Sequence, residues 1–302
     1  MGYGVNAAGT LFRFDLATPA NVTTLGPVGF VPEGIDFRPS TNTLYAIDVG
    51  PNTTQLYTLD VSSGAATAVG AGFTSSGIGY DITGSNLKFG FDFNPTTLQL
   101  DTSMRIRLVA TNNSNMRLNS STGLIAGIDT NLQFAIGSSP FVDAAAYINN
   151  NATVGGTTAL YDMDSRNDEL LLQSPPNAGT VTTVGSFGIG PSDALSGIGF
   201  DIYTTPGNAD ATIGGDFAYA VYQRPDAPLG GPLGSYLLYS VNLATGATTN
   251  SASVGPAATP FDFVGGFAIA PLPIPEPSTL ILFAAACAAG MGWGLKRRTT
   301  AR

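Results

Sequence analysis

The feature that most constrains this chain is a pair of short signatures that recur in fixed order. A strand closing on a small-residue turn appears as TTLG (Thr23–Gly26), TAVG (Thr67–Gly70), LIAG (Leu124–Gly127), TTVG (Thr182–Gly185) and ASVG (Ala252–Gly255). A segment that opens with glycine and continues apolar appears as GIDF (34–37), GFDF (90–93), GIGF (197–200) and GGFAI (265–269), with AAAYI (144–148) in the same place in the fourth unit. Between them lie strand pairs: LYAID with QLYTLD, MRIRLVA with SNMRLN, TALYDMD with ELLLQS, and FAYAVYQ with YLLYSVNL. The closing glycines stand 44, 57, 58 and 70 residues apart, and each interval holds one four-stranded sheet. The unit 34–70 shows this most plainly, with strands expected at Gly34–Phe37, Leu44–Asp48, Gln55–Asp60 and Ala65–Val69.

Four-stranded sheets repeated radially make a β-propeller. The two chain ends point to ring closure. Gly265–Ala270 has the form of a first strand without partners, and the chain start supplies strands two to four of such a unit. The expectation is an all-β propeller of five blades: 265–270 with 3–26, then 34–70, 90–127, 141–185 and 197–255. A sixth blade fits if Gly77–Lys88 hides a strand pair. A β-sandwich of irregular hairpins is the structural alternative. Ser63-Gly64, Thr122-Gly123 and Thr245-Gly246 fall between third and fourth strands, where glycine supplies the positive φ of a tight turn.

Composition narrows the chemistry. The chain has no histidine, which removes Ser-His-Asp and Cys-His arrangements and the usual zinc sites. Its one cysteine, Cys287, lies in the apolar tail, so no intramolecular disulfide forms. With 43% apolar and 11% charged residues the chain can bury a core and suits an extracytoplasmic, turn-rich protein. The net charge is −9, and the basic residues of the tail make the rest more acidic still. Such a body repels nucleic acid and anionic lipid, leaving cations or neutral polymers as partners. The start, MGYGVNAAGTLFRFDL, reads as folded strands and lacks the charged start and apolar core of a secretory signal. An export signal is expected to belong upstream of this chain.

Beyond residue 270 the character changes. Residues 271–278 hold a stiff Pro-rich linker, and 279–295 are almost purely apolar, near the lower limit for a bilayer span. Trp293 sits at its end and Lys296, Arg297 and Arg298 follow, which puts the tail 296–302 in the cytoplasm. Pro275-Glu276-Pro277, the apolar helix and the basic end, in that order, resemble the PEP-CTERM protein-sorting signal of Gram-negative bacteria. The resemblance implies an exosortase as partner, removal of the tail near Pro-Glu-Pro, and an inner-membrane-anchored precursor delivered to the cell surface or exopolysaccharide matrix. The body also resembles the bacterial domain of unknown function 4394, on MRIRLVATNNSNMRLNSSTG (104–123), VDAAAYINN (142–150) and TTALYDMDSRNDELLLQSPPNAGTVTTVG (157–185). That family brings no activity to carry over.

Candidate sites are few, and no catalytic set stands out. Asp36 and Asp92 hold equivalent places in GIDF and GFDF and are candidates to ring the axial channel and hold a cation, calcium suiting oxygen ligands best. Ala146 and Gly199 are read as their counterparts in other blades. Arg105 and Arg107 share a face of one strand, and Arg117 lies on the next. The three are a candidate grip for a polysaccharide carboxylate, against the plainer expectation of salt bridges to Asp92 or Asp101. The acidic run Asp162–Glu169 reads as a solvated hairpin turn. The function expected is a surface-sorted binding or structural module of unknown activity. The alternatives are a propeller glycan hydrolase or lyase with paired carboxylates, and a permanently membrane-anchored protein.

Overall fold

The computed structural model describes residues 1–84, 86–96, 104–136, 138–150, 157–191, 199–205, 215–223, 236–256 and 263–271. In chain order its strands are β1 (Gly2–Asn6), β2 (Thr10–Asp15), β3 (Thr18–Pro27), β4 (Gly34–Arg38), β5 (Thr43–Val49), β6 (Thr53–Leu59), β7 (Ala66–Thr74), β8 (Ser76–Gly77), β9 (Tyr80–Asp81), β10 (Phe89–Asn94), β11 (Arg105–Ala110) and β12 (Asn115–Asn119). There follow β13 (Ile125–Ile128), β14 (Gln133–Phe134), β15 (Val142–Tyr147), β16 (Leu160–Asp164), β17 (Glu169–Gln173), β18 (Thr180–Ser186), β19 (Gly199–Thr204), β20 (Asp216–Gln223), β21 (Tyr236–Val241), β22 (Thr248–Ser253) and β23 (Phe263–Ile269). A single 3-10 turn, Pro176–Ala178, is the only helical element among the described residues.

The strands form five blades. Blade I is β23-β1-β2-β3, blade II β4-β5-β6-β7, blade III β10-β11-β12-β13, blade IV β15-β16-β17-β18 and blade V β19-β20-β21-β22. Blade I is therefore built from both chain ends, with Tyr3 paired to Ala268 and Gly4 to Phe267. The short β14 leaves blade III and adds in parallel to the outer edge of blade IV. Among the described residues, the segment from Gly77 holds the two-residue ladder of β8 and β9, a hairpin in place of a sixth blade.

The innermost strands β23, β4, β10, β15 and β19 touch one another in a closed ring. Glycine is what lets them come so close. A Cβ on Gly34 would lie 2.5 Å from Phe91 Cβ, and one on Gly90 would lie 2.6 Å from Ala145 N. One on Gly266 would lie 2.6 Å from Ile35 N, and Gly266 also has φ +63. These glycines, with Ala144 and Gly199, line a cavity of about 10 Å³. That is room for about one water.

Apolar side chains pack between blades, because each blade's two faces meet two neighbours. Val5, Leu11, Ile35 and Leu44 join blades I and II. Ile47, Leu56, Phe93 and Leu118 join II and III. Val109, Tyr147, Leu160 and Leu171 join III and IV. Tyr3 meets Phe37 edge-on at 5.1 Å across I–II, and Tyr45 meets Phe93 in the same way at 5.1 Å across II–III. The inner strands are buried along nearly their whole length, whereas the outer β7 is largely exposed. This explains why the inner strands read as short apolar runs and the outer ones as Thr-rich.

A second ring of close contacts lies further out. The closing glycine of one blade sits under the turn between third and fourth strands of the next: Gly26 against Ser63, Gly70 against Thr122, and Gly185 against Thr245. Each of those turns is built alike. Asp60, Asn119 or Asn242 accepts the N–H two residues on through its side chain, at 2.8–2.9 Å, and Gly64, Gly123 or Gly246 follows with positive φ.

Among the described residues no helix is long and apolar enough to cross a membrane. The linker, the expected span 279–295 and the basic tail lie outside the described residues.

The glycine ring makes a direct forecast. A Cβ added at Gly199 would lie 2.9 Å from the backbone N of Phe267, which no rotamer relieves. Gly199→Ala should cost about 1–3 kcal/mol. Thermal unfolding should show a Tm lower by roughly 2–10 °C. An unchanged Tm would mean that the inner strands have slack.

Candidate functional site

The axis holds the most unusual chemistry in the described residues. Two positions beyond the leading glycine of β4, β10 and β19 stand Asp36, Asp92 and Asp201, each about 1% exposed. Their carboxylate oxygens lie within 4.8 Å of one another. The corresponding positions of β15 and β23, two beyond Ala144 and Gly266, are Ala146 and Ala268, so the ring of five is acidic at three places.

The counterpart in blade V is thus Asp201, not Gly199. The segment GIGF imitates the leading signature two residues too early, and the strand that opens with the motif is GFDI, 199–202. Asp201 was legible in that second reading, because Gly-aromatic-Asp-apolar repeats GFDF.

Each aspartate works as a bridge between blades. Asp36 accepts the N–H of Phe93 at 2.8 Å and that of Phe37 at 2.6 Å. Asp92 accepts the N–H of Tyr147 at 3.1 Å. Asp201 accepts the N–H of Ile269 at 2.5 Å and that of Ile202 at 2.6 Å. Desolvation pushes Asp36 well above the ordinary carboxylate range, and the charge of Asp201 adds to the shift. Asp92 rises for the same first reason, with Asp36 and Asp201 adding. Burial raises Asp201 to about 7 against the pull of its two amide donors.

A second group lies at the end of the inner strands where they begin. Asp143 is buried, accepts Ser165 Oγ through Oδ2, and is raised by desolvation to about 8. Half-buried Glu33 accepts the N–H of Val49 at 2.8 Å and is raised by desolvation to about 7. Burial lowers the Lys88 ammonium, while Asp143 and Glu33 act to raise it. Nothing in the sequence marks Glu33 or Asp143, because their partners Val49 and Ser165 stand 16 and 22 residues away along the chain.

The arginines divide. Arg107 is about 1% exposed and saturated: it donates to Asn115 Oδ1, Asp129 Oδ2 and Asn177 Oδ1 at 2.7 Å each, and to the Tyr147 hydroxyl at 3.3 Å. Arg117 grips Asp129 with two bonds of 2.8 Å, its side chain 31% exposed. Arg105 stands on the same strand as Arg107, half-buried, opposite Asn94 and Asn119. For Arg107 and Arg117 the ion-pair partner is Asp129, reached across the sheet, in place of the expected Asp92, and Asp101 lies outside the described residues. Asp162, beside Arg107, is fully buried, and its carboxyl oxygens have no hydrogen-bond partner among the described residues. Burial raises it to about 8, against the pull of Arg107.

The acidic run Asp162–Glu169 is a hairpin, as expected, but not a solvated one. Asp162 and Asp164 are 0% exposed and Asp168 is 8% exposed. Asp168 accepts the N–H groups of Gly188, Ile189 and Gly190 at 3.0–3.2 Å, fixing the loop that leaves blade IV.

Residues 10–263 match the family model described as a domain of unknown function, DUF4394. The chain belongs to the DUF4394 family. Residues 273–298 match the PEP-CTERM protein-sorting motif, which implies recognition by an exosortase and an exported precursor sorted to the cell surface. No curated protein matches the sequence. Among solved structures, a nidogen/laminin complex is 11% identical, covering 89% of this chain and 97% of that one at a TM-score of 0.48. AofleA from Arthrobotrys oligospora is 10% identical over 88% and 69%, at 0.46. A luciferin-regenerating enzyme is 12% identical over 86% and 73%, at 0.40. Likeness this remote says nothing of activity.

In this DUF4394 propeller the arginines should behave unequally. Arg107→Met strands buried acceptors on both blades and should cost about 3–5 kcal/mol. Arg117→Ala should cost within about 1 kcal/mol, since its side chain meets solvent. Urea unfolding of the two variants separates these values, and equal costs would contradict the assignment.

Proposed function

We propose that the protein is an exported propeller that serves as a structural or binding module of the cell surface or exopolysaccharide matrix. The observation that carries this reading is the PEP-CTERM motif matched at 273–298, directly after a propeller unit that ends at Pro271. In this reading 1–270 is the working domain and 271–278 is a linker presenting Pro275-Glu276-Pro277. Residues 279–295 then span the inner membrane, with Trp293 at the interface and Lys296, Arg297 and Arg298 holding 296–302 in the cytoplasm. An exosortase cuts near Pro-Glu-Pro and releases the propeller outward. A polysaccharide is the partner that its setting favours. Of the three arginines, Arg105 and Arg117 are the ones this reading retains for an acidic sugar, because Arg107 is about 1% exposed.

We also propose that Asp36 and Asp92, joined by Asp201, hold a cation. Oxygens within 4.8 Å of one another suit calcium, whose bonds run about 2.3–2.6 Å. The glycan-hydrolase alternative draws no support from these carboxylates. They are close enough to pair, but at about 1% exposure they lie beyond the reach of a glycosidic bond.

Mass spectrometry of the protein recovered from its host tests the sorting reading. The mature chain should end near Pro275–Ser278 and be found outside the cell. Replacing Pro275, Glu276 and Pro277 by alanine should leave a chain ending at Arg302 in the membrane fraction. A wild-type chain that keeps Arg302 in the membrane would make the tail a permanent anchor and overturn the matrix reading.

A further inference from the structure

The seam where blade V meets blade I differs from the other joints, and the difference starts in the sequence. Asp15-Leu16-Ala17-Thr18-Pro19 holds the place that Asp60–Gly64, Asn119–Gly123 and Asn242–Gly246 hold in blades II, III and V. The first step of the turn is shared, since Asp15 accepts the N–H of Ala17 at 2.8 Å. The last step is lost. Gly64, Gly123 and Gly246 take positive φ and donate N–H to the carbonyls of Asp60, Asn119 and Asn242 at 2.7–2.8 Å. Proline has no N–H, and its ring fixes φ near about −65°. Blade I turns instead over Leu16 and Ala17, with Asp15 paired to Thr18. Blade V's closing Gly255 meets it through an N–H donated to Pro19 O at 3.0 Å. A cavity of about 650 Å³ lies at this seam, between Asp15, Leu16 and Pro19 of blade I and Tyr219, Leu238 and Ser240 of blade V. That volume suits a small-ligand site. Among the described residues no lysine or arginine lines it.

Aromatic rings lead into this cavity. Alternate residues of β20 face the two neighbouring blades. Ala218 and Ala220 pack toward blade IV, whereas Tyr219 and Val221 pack with Phe12 and Phe14 of blade I. Phe217 shares the face of Tyr219, about 7 Å along the strand, and is 50% exposed. Tyr203, opposite Phe217 in the ladder, stacks with it at a centroid distance of 6.4 Å. A sugar ring offers an apolar C–H face and a rim of hydroxyls. Flat rings beside the Asp15 carboxylate and the Tyr219 and Ser240 hydroxyls match both. The chain's net charge of −9 and the missing lysines and arginines of the lining disfavour an acidic polymer. We infer that the V–I seam is a binding groove for a neutral polysaccharide, with sugar rings against Phe217 and Tyr219 and their hydroxyls on Asp15 and Ser240. The inference rests on the reading of the protein as a matrix binding module and gives the polymer a seat and a charge class. The arginines of blade III have no part in it.

Affinity electrophoresis of the protein isolated from its host tests this. The gels are cast with the neutral or the acidic fraction of the host's own exopolysaccharide, separated by anion exchange. The neutral fraction should retard the wild-type protein. Phe217→Ala removes an exposed ring and should weaken that binding about two- to tenfold. Tyr219→Leu keeps apolar bulk at the seam, loses the flat ring and the hydroxyl, and should weaken it at least as much. Tyr80→Leu, in the β8–β9 hairpin, should leave it unchanged. Thermal melts show which variants are folded, and if Tyr219→Leu is not, the exposed Phe217 site still decides. Neutral binding that Phe217→Ala leaves untouched would overturn the proposal. So would retardation by the acidic fraction alone, which would keep the matrix reading and move its site elsewhere. Retardation by neither fraction would overturn the groove and leave the exported protein a structural role only.

Discussion

The closeness with which five strands can approach one axis governs the rest of the molecule. Gly34, Gly90, Gly199 and Gly266, with Ala144, line a cavity of about 10 Å³, room for about one water. A Cβ at the glycines would run into the neighbouring strand. Because the inner strands touch, both faces of every blade are covered, and the apolar core becomes five layers between blades. The outer ring of glycines under the next blade's turns fixes the angular spacing in the same way at larger radius. The chain ends then have one place to go, and β23 and β1 complete blade I.

The same closeness creates the molecule's electrostatic problem. Carboxylates just below the glycine ring have no space for water around them. They are useful there, since each satisfies a backbone N–H of the adjoining blade that would otherwise be buried without a partner. Their cost is that three negative charges share one desolvated point. Closure of the ring and its buried charge therefore meet at Asp36, Asp92 and Asp201. The arginine network between blades III and IV meets the opposite demand. Arg107 is fully buried but fully paired, so it stays charged and rigid.

Much of the fold was legible because its constraints are local and repeated. Closing glycines and turn glycines stand in the sequence at three of the joints where one blade packs under the next, and the repeat they punctuate placed all five blades to within a few residues. What stayed hidden depends on contacts between residues far apart in the chain. Asp201 was passed over because GIGF offers the same signature two residues early, and register within a strand is not visible from composition. Asp129 and Asn177 reach Arg107 from loops 22 and 70 residues away. Asp168 looked solvated because its run is charged, yet it caps amides 20–22 residues further on. Residues whose role is set by a neighbour far along the chain carry no local mark.

Amide hydrogen exchange of the intact protein, followed by peptide, tests the closed ring most directly. If both ends complete blade I, the peptide covering Phe263–Ile269 should exchange as slowly as those from β5 and β11, opening only when the whole propeller unfolds. Fast exchange confined to that peptide, with the other blades still protected, would mean that the last strand frays freely and that the ring is not closed by it.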